Sequence, residues 1–347
     1  MKILHVITKS DLGGAQSVVA SIANSLAQEH SVTVAAGEGD GKLWAMLSER
    51  VEKVELRHMW RAVRPLQDML GVVELRKLYN RIKPDVVHLH SSKAGVLGRL
   101  ALPRKRVVYT VHGFDSVRLA FRRFLPVERA LQGACQKIAA VSHYDYKNLL
   151  KEGISRNVVT IYNGIFTPKT EGIERPKEFD PTKKSVLCIA RVQPPKDHKL
   201  FIEIARLMPQ YNFVWIGNME PLQEPMPSNC HFIGNLPSAG AYCQFADLFV
   251  LTSNYEGLPM TILEAMSLSK PVVSSDVGGV SEIVRSGING YVLPNSAEEF
   301  AKHIDKILQD PQLYAKMSAQ SLEIFNRELR VEIMAESYLK IYNEICR

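Results

Sequence analysis

Short runs of apolar, β-branched residues recur along the first half of the chain, at 2–7, 31–36, 85–90, 106–111, 137–142 and 158–162, separated by amphipathic stretches. This alternation predicts strand–helix–strand units around a parallel sheet, because strands covered on both faces read as nearly unbroken Val, Ile and Leu. The plan repeats at 185–190, 212–216, 231–234, 246–252, 271–274 and 290–293. After Leu293 the period turns helical through 297–308, 312–325 and 329–345, with no further strand. Residues 167–184 carry three prolines, mixed charge and no apolar period, which is linker composition. The expected fold is α/β: two Rossmann-like, doubly wound parallel-sheet domains facing a cleft, with C-terminal helices after the last strand. The expected divisions are 1–166, a linker at 167–184, 185–326, and a helix at 327–347 packing back toward the first domain.

A length of 347 residues fits two domains at about 150 residues each. With 46% hydrophobic and 23% charged residues the chain has an ordinary globular mix, which excludes disordered, collagen-like and fibrous classes. No apolar run reaches the roughly 18 residues of a membrane-spanning helix, and Met1 runs straight into a strand pattern without a basic-then-apolar leader. A cytoplasmic protein, peripheral on the membrane at most, is expected. The five cysteines show no Cys-x-x-Cys spacing, so neither a disulfide framework nor a zinc knuckle is expected. Charge changes the picture more. Residues 1–165 hold 25 Lys and Arg against 14 Asp and Glu, whereas the remainder holds 18 against 22. A positive first half facing a negative second half points to an anionic partner for the first.

The candidate chemistry begins with an absence. Gly37, Gly39 and Gly41 lack the G-x-G-x-x-G spacing of a dinucleotide site, and Gly41-Lys42 runs into Leu43 in place of the Ser or Thr of a P-loop. The richest stretch follows the apolar run at 246–252. Glu256 falls in a loop and Glu264 eight positions later, in the second turn of the helix that the intervening residues predict. Free N–H groups of that helix's first turn would suit an anion. Taken alone, Glu256 is better read as an acidic first turn favouring the helix dipole; the surrounding residues turn the balance. Arg191 and Lys196 stand five apart in a loop broken by Pro194-Pro195, where a guanidinium fork and an ammonium point charge could hold a diphosphate; an ordinary solvated loop is the plain alternative. Gly13 and Gly14 close the first strand and open a helix, leaving room for a phosphate. His112 ends a strand beside Gly113.

The stretch Glu256 to Glu264 resembles the paired-glutamate motif of retaining, nucleotide-sugar-dependent glycosyltransferases of family 4, the two-Rossmann-domain GT-B type. Leu12-Gly13-Gly14-Ala15-Gln16, Val111-His112-Gly113-Phe114, Ile161-Tyr162-Asn163-Gly164-Ile165 and Ala190-Arg191 through Lys196 agree in the expected order, so the resemblance spans nearly the whole chain. It implies that Arg191 and Lys196 neutralise the leaving nucleotide diphosphate, and that Glu264 accepts from the ribose hydroxyls. Glu256 and the amides of Gly257 and Leu258 would lie near the donor sugar, with His112 against its reacting face. Gly13, Gly14, Asn163, Gly217, Pro259, Met260 and Thr261 complete the implied donor site, Pro259 with no N–H to offer. Two departures stand out: Asp197 follows the lysine where Gly is common, and Gly217-Asn218-Met219-Glu220 replaces a glycine-rich turn.

No metal or cofactor is expected. None of the twelve aspartates forms Asp-x-Asp, the triplet of metal-dependent glycosyltransferases of the other major fold. The rival is a three-histidine metal site, since His88 and His90 share a strand face and His112 could join them. No Asp or Glu in the matched segments of the first domain offers itself as a nucleophile, so front-face attack is expected, the departing phosphate oxygen taking the acceptor's proton. The expected partners are a nucleotide-sugar donor, a UDP-sugar by resemblance, and a lipid-linked or saccharide acceptor in cell-surface polysaccharide synthesis. An anionic membrane surface is also expected, met by the basic, Phe- and Leu-bearing window 99–129. The same window equally fits a helix whose Phe and Leu face the core. Nucleic acid is not expected, because no binding motif accompanies the charge. A sugar-nucleotide 2-epimerase and a non-catalytic nucleotide-sugar-binding module are the alternatives.

Overall fold

The computed structural model describes residues 1–222 and 224–347 and divides them into two compact units, Met1–Gly164 with Val331–Arg347, and Ile165–Arg330. The first unit holds β1 (Lys2–Ile7), β2 (Ser31–Ala36), β3 (Val51–Glu55), β4 (Val86–His90), β5 (Val107–Val111), β6 (Lys137–Ala140) and β7 (Val158–Thr160). Its helices are α1 (Gly14–Leu26), α2 (Lys42–Met46), α3 (Pro65–Ile82), α4 (Ser92–Ala101), α5 (Leu125–Leu131) and α6 (His143–Lys151). The strands run parallel in the order β3-β2-β1-β4-β5-β6-β7. The order reverses between β1 and β4, and a doubly wound sheet opens its ligand crevice at the carboxyl ends of the strands beside such a reversal.

The second unit repeats this on six strands: β8 (Ser185–Ile189), β9 (Asn212–Ile216), β10 (Cys230–Phe232), β11 (Leu248–Leu251), β12 (Val272–Ser275) and β13 (Gly290–Leu293). They lie parallel in the order β10-β9-β8-β11-β12-β13, reversing between β8 and β11. Its helices are α7 (His198–Leu207), α8 (Met260–Ser267), α9 (Val280–Ile283), α10 (Ala297–Gln309) and α11 (Pro311–Ile324). The strands β4, β5, β8, β9, β11 and β12 are buried along their whole length, which is why the sequence reads there as continuous apolar runs.

The expected two parallel-sheet α/β domains are present, with one strand more than the sequence pattern predicts. In β3 only Val51 is buried, and Glu52, Lys53 and Glu55 face water at the sheet edge. Charged edge strands carry no apolar run, and the same charges guard the edge against pairing with another chain.

The last helix, α12 (Val331–Cys346), belongs to the first unit. It buries Val331, Met334, Ala335, Tyr338, Ile341 and Tyr342. The Tyr342 hydroxyl lies 2.6 Å from His88 Nδ1 and the Tyr338 hydroxyl 2.9 Å from Thr110 Oγ1. Residues 167–184 lie in the second unit, where Phe179 is buried with its ring 5.9 Å from that of Phe245, and the Thr170 carbonyl accepts from Gln244 Nε2 at 3.2 Å. All five cysteines are free thiols, four of them buried. Among the described residues no helix is long and apolar enough to cross a membrane.

Candidate active site

In the second unit the chain leaving β8 is fastened to the chain leaving β11, its neighbour across the reversal of strand order. The Asp197 N–H donates to the Thr252 carbonyl at 3.0 Å, the Asn254 N–H donates to the Pro195 carbonyl at 2.9 Å, and Thr252 Oγ1 donates to the Asp197 carbonyl at 2.6 Å. These bonds bring Lys196 onto Glu256: the ammonium pairs with Glu256 Oε1, and Ser253 Oγ donates to the same oxygen at 2.7 Å. Both side chains are largely buried, 18% and 11% exposed. Arg191 is exposed, and among the described residues its guanidinium has no hydrogen-bond or ion-pair partner. Asp197, where the family commonly has Gly, caps α7 by accepting from the Leu200 N–H at 3.0 Å. It therefore replaces backbone freedom with a helix-starting carboxylate.

Glu256 and Gly257 sit on a glycine support that the sequence reading missed. Gly278 has φ of +58°, and a Cβ there would stand 2.1 Å from the Glu256 carbonyl oxygen. The Gly279 N–H donates to the Gly257 carbonyl at 2.8 Å. Pro259 precedes α8 in an extended conformation, and the helix opens with no side-chain cap. The N–H groups of Met260 and Thr261 thus lack intrahelical acceptors. Thr261 Oγ1 is buried without a hydrogen-bond partner, and Leu258 is buried in the loop. One turn on, Glu264 packs against Gly240, where a Cβ would approach its Cδ to 2.7 Å. Burial pushes the Glu264 carboxyl up to about 7. At the end of β9, Gly217 has φ of +120° and leaves no room for a Cβ beside the Ala190 carbonyl, 2.4 Å away. Its neighbour Asn218 closes the turn by accepting from the Gly234 N–H at 2.8 Å. A depression of about 560 Å³ opens there, lined by Met219, Glu220, Pro221 and Phe232 among others.

In the first unit the candidate residues again follow strand ends. Gly13 is extended, caps α1 without a side chain, and accepts from the Ser17 N–H at 2.9 Å, while Gly14 begins the helix. Asn163 is buried just beyond β7. His112 follows β5 and is half-buried, its Nε2 3.0 Å from His90 Nδ1. His90 Nε2 in turn lies 3.1 Å from His5 Nδ1 in the adjacent strand. Burial holds His5 down to about 3 and His112 to about 4, and keeps His88 and His90 well below the ordinary range.

The three-histidine reading requires correction. The ring nitrogens that come within 4.8 Å of one another are those of His5, His88 and His90, with His112 outside the group. Both His88 nitrogens are taken by hydroxyls, Tyr342 and Thr110, each at 2.6 Å, and His5 and His90 are hydrogen-bonded to each other. A metal needs lone pairs converging on one point, and of these six ring nitrogens all but His5 Nε2 are engaged by neighbours. His5 could have been found from sequence, as a lone polar residue inside the apolar β1.

The basic window 99–129 divides in two. Arg99 is fully buried, 2.5 Å from Glu128 Oε2 and 4.3 Å from the Tyr109 ring centroid. Arg118 pairs with Asp115 at 2.8 Å, and Arg122 and Arg129 share Glu152. Phe114 and Leu125 are core residues, whereas Arg104, Lys105, Leu119 and Phe121 are exposed. A larger exposed apolar run, Val63, Leu66, Met69, Leu70 and Val73, begins just before α3 beside exposed Arg61 and Arg64.

Two family models match end to end. Residues 12–167 match the one described as Glycosyltransferase Family 4, and residues 169–323 match Glycosyl transferases group 1. The chain is 27% identical over 352 residues to the O-antigen biosynthesis glycosyltransferase WbnH of Escherichia coli, covering 98% of this chain and 97% of that protein. It is 26% identical over 348 residues to the UDP-Gal:alpha-D-GlcNAc-diphosphoundecaprenol alpha-1,3-galactosyltransferase of Escherichia coli, covering 90% and 89%. The structure of Anabaena Alr3699/HepE in complex with UDP superposes with a TM-score of 0.80 at 21% identity, covering 99% of this chain and all of that one. The two matched regions together span most of the chain and agree with its two parallel-sheet units: this chain belongs to glycosyltransferase family 4, the glycosyl transferases group 1.

Proposed function

We propose that the protein is a retaining glycosyltransferase that moves a sugar from a UDP-sugar to a lipid-linked or saccharide acceptor in cell-surface polysaccharide assembly, such as capsule or O-antigen, with no metal ion in the step. One observation carries this reading: Lys196 and Glu256 are paired at the strand reversal of the second unit, Lys196 in the same loop after β8 that carries Arg191, whose guanidinium has no partner among the described residues. An ammonium has three donors, and the pair with Glu256 leaves Lys196 able to reach a phosphate oxygen as well. Arg191 adds a planar fork for the same diphosphate. UDP and an undecaprenyl-diphosphate acceptor are favoured by the similarity to the UDP-bound Anabaena protein and to the diphosphoundecaprenol galactosyltransferase of Escherichia coli.

In this mechanism Glu264 accepts from the ribose hydroxyls, while the N–H groups opening α8 face the donor's negative charge. His112 and Glu256 orient the sugar. The bond from the anomeric carbon to the diphosphate oxygen breaks, and Arg191 and Lys196 stabilise the charge that collects on that oxygen. The acceptor hydroxyl attacks the same face, forming the new glycosidic bond, and passes its proton to the departing phosphate oxygen. Configuration is retained without an enzyme nucleophile.

The test incubates the protein in a chelator with UDP-glucose, UDP-galactose and their N-acetylated forms, with and without undecaprenyl-diphosphate-GlcNAc. UDP release that requires the acceptor, with an α-linked product by NMR, is the expected result. A UDP-sugar inverted at C2 without acceptor, and with no net UDP release, would support the epimerase instead. Binding of UDP without turnover would leave a nucleotide-sugar-binding module. For the membrane partner, the exposed run from Val63 to Val73, flanked by Arg61 and Arg64, and the pair Leu119 and Phe121 present the required apolar and cationic mixture. Sedimentation with phosphatidylglycerol vesicles at low salt, lost at high salt, is expected; no sedimentation at low salt removes the membrane from this reading.

A further inference from the structure

His5, His90 and His112 form a hydrogen-bonded line of imidazoles through the first unit, from the interior of β1 through β4 to the residue after β5. The sheet register builds it, since Ile7 pairs with His90 across β1 and β4, and His5 with His88 one step back. At one end, His5 Nε2 is buried with no hydrogen-bond partner. At the other, His112 Nδ1 is neither among the buried unpartnered atoms nor bonded to any described residue, and so opens outward.

Burial keeps all three rings neutral, so each carries one N–H. Two links, each needing one hydrogen, then allow only two arrangements. If the donors point inward, His112 Nε2–H donates to His90, His90 Nε2–H donates to His5, and an N–H is stranded on buried His5 Nε2. If they point outward, His5 Nδ1–H donates to His90 Nε2, and His90 Nδ1–H donates to His112 Nε2. The buried end is then a bare lone pair. Orphaned buried N–H groups are the rarer defect, and the outward arrangement avoids one.

We infer that the buried line His5–His90 fixes His112 as its Nδ1–H tautomer, so that His112 presents a hydrogen-bond donor, and His5 and His90 are positioning residues for it. The consequence for chemistry rests on the proposed transfer reaction. A ring held as an outward donor cannot also take the acceptor's proton through that nitrogen, which leaves that proton to the departing phosphate oxygen. His112 then contributes an N–H to an oxygen of the bound sugar. His88, packed on His90 with ring centroids 3.9 Å apart, is held by hydroxyls alone and stands outside the line.

Two-bond ¹H–¹⁵N correlation spectra of ¹⁵N-histidine-labelled protein read the tautomer directly, without substrate and without reference to activity. The expected spectrum shows His112 protonated at Nδ1. An Nε2–H tautomer at His112 would overturn the inference even if the transferase reading stands. His90→Leu removes the donor and is expected to give a mixed His112 tautomer and to lower kcat about tenfold to a hundredfold with KM for the donor sugar nearly unchanged. His90→Asn, whose amide nitrogen sits where Nδ1 was, is expected to restore both. Should the leucine variant fail to fold, His5→Phe at the far end, together with the wild-type spectrum, decides: a tautomer mixture supports the line, and an unchanged single tautomer overturns it.

Discussion

Lys196 and Glu256 are joined as an ion pair that ties the loop after β8 to the loop after β11, with Ser253 Oγ closing on the same carboxylate oxygen. In the proposed transfer this pair gives the donor site a cation whose position is set before any nucleotide arrives. Lys196→Ala removes a charge that acts on the developing phosphate anion and strands a mostly buried carboxylate. Turnover is expected to fall about a hundredfold or more, and stability by about 2 kcal/mol. The double variant Lys196→Met, Glu256→Gln is expected to recover most of the stability and none of the turnover, read by thermal unfolding and steady-state kinetics.

Arg191 should behave oppositely. It is exposed and unpartnered among the described residues, so Arg191→Ala leaves stability within about 0.5 kcal/mol. The same change is expected to weaken UDP binding about tenfold or more, the loss of a charge-assisted contact. Calorimetric titration with UDP beside a melting curve checks both halves.

Gly240→Ala tests the cradle of Glu264. The new methyl would come within 2.7 Å of the carboxyl carbon, and Glu264 must turn away. The fold should survive, because a side chain rather than backbone gives way, while UDP affinity falls about tenfold from the misplaced ribose acceptor. A variant binding UDP as tightly as the parent would remove Glu264 from the ribose.

Glu264 also sets a pH dependence. Its carboxyl, raised by burial to about 7, is protonated in the folded chain at a pH where the unfolded chain has already ionised. Its contribution to stability therefore declines as pH rises from about 4.5 to about 7 and is level above. Glu264→Gln is expected to abolish that part of the slope. Ribose hydroxyls donate best to the ionised form, so UDP binding lowers this pKa. Near about pH 6 binding should release a proton and should tighten toward about pH 8. Calorimetry in two buffers of different ionisation enthalpy measures the proton, which the Gln variant should not release.

Arg99 predicts a purely structural loss. It is sealed over Tyr109 with Glu128 as its counter-ion. Arg99→Met, which leaves Glu128 buried and unpaired, is expected to cost about 3 kcal/mol or more and to leave vesicle binding untouched. The double change with Glu128→Gln should regain part of it, as chemical denaturation would show.

The strands were legible wherever burial on both faces forces unbroken apolar runs, as in β4, β5 and β8. The pattern failed at β3, where an edge exposes Glu52, Lys53 and Glu55. In the candidate site the charged residues were readable because they follow predicted strand ends. Their supports were not, since Gly240 and Gly278 matter only through approaches between segments distant in sequence. Counting charge misled at Arg99, because composition cannot tell a cation under a carboxylate from one in water. His5 lies 83 positions from His88, and only the β1–β4 register brings them together.

The return of α12 to the first unit has a consequence for synthesis on the ribosome. Residues 165–330 form one uninterrupted unit, whereas the unit that begins at Met1 also requires 331–347. Growing from its N-terminus, the chain finishes the later-encoded unit before the earlier one. Until Tyr338 and Tyr342 emerge, the hydroxyls that bond Thr110 and His88 do not exist. The nascent first unit waits with the His88 and Thr110 side chains of β4 and β5 lacking the partners that α12 brings.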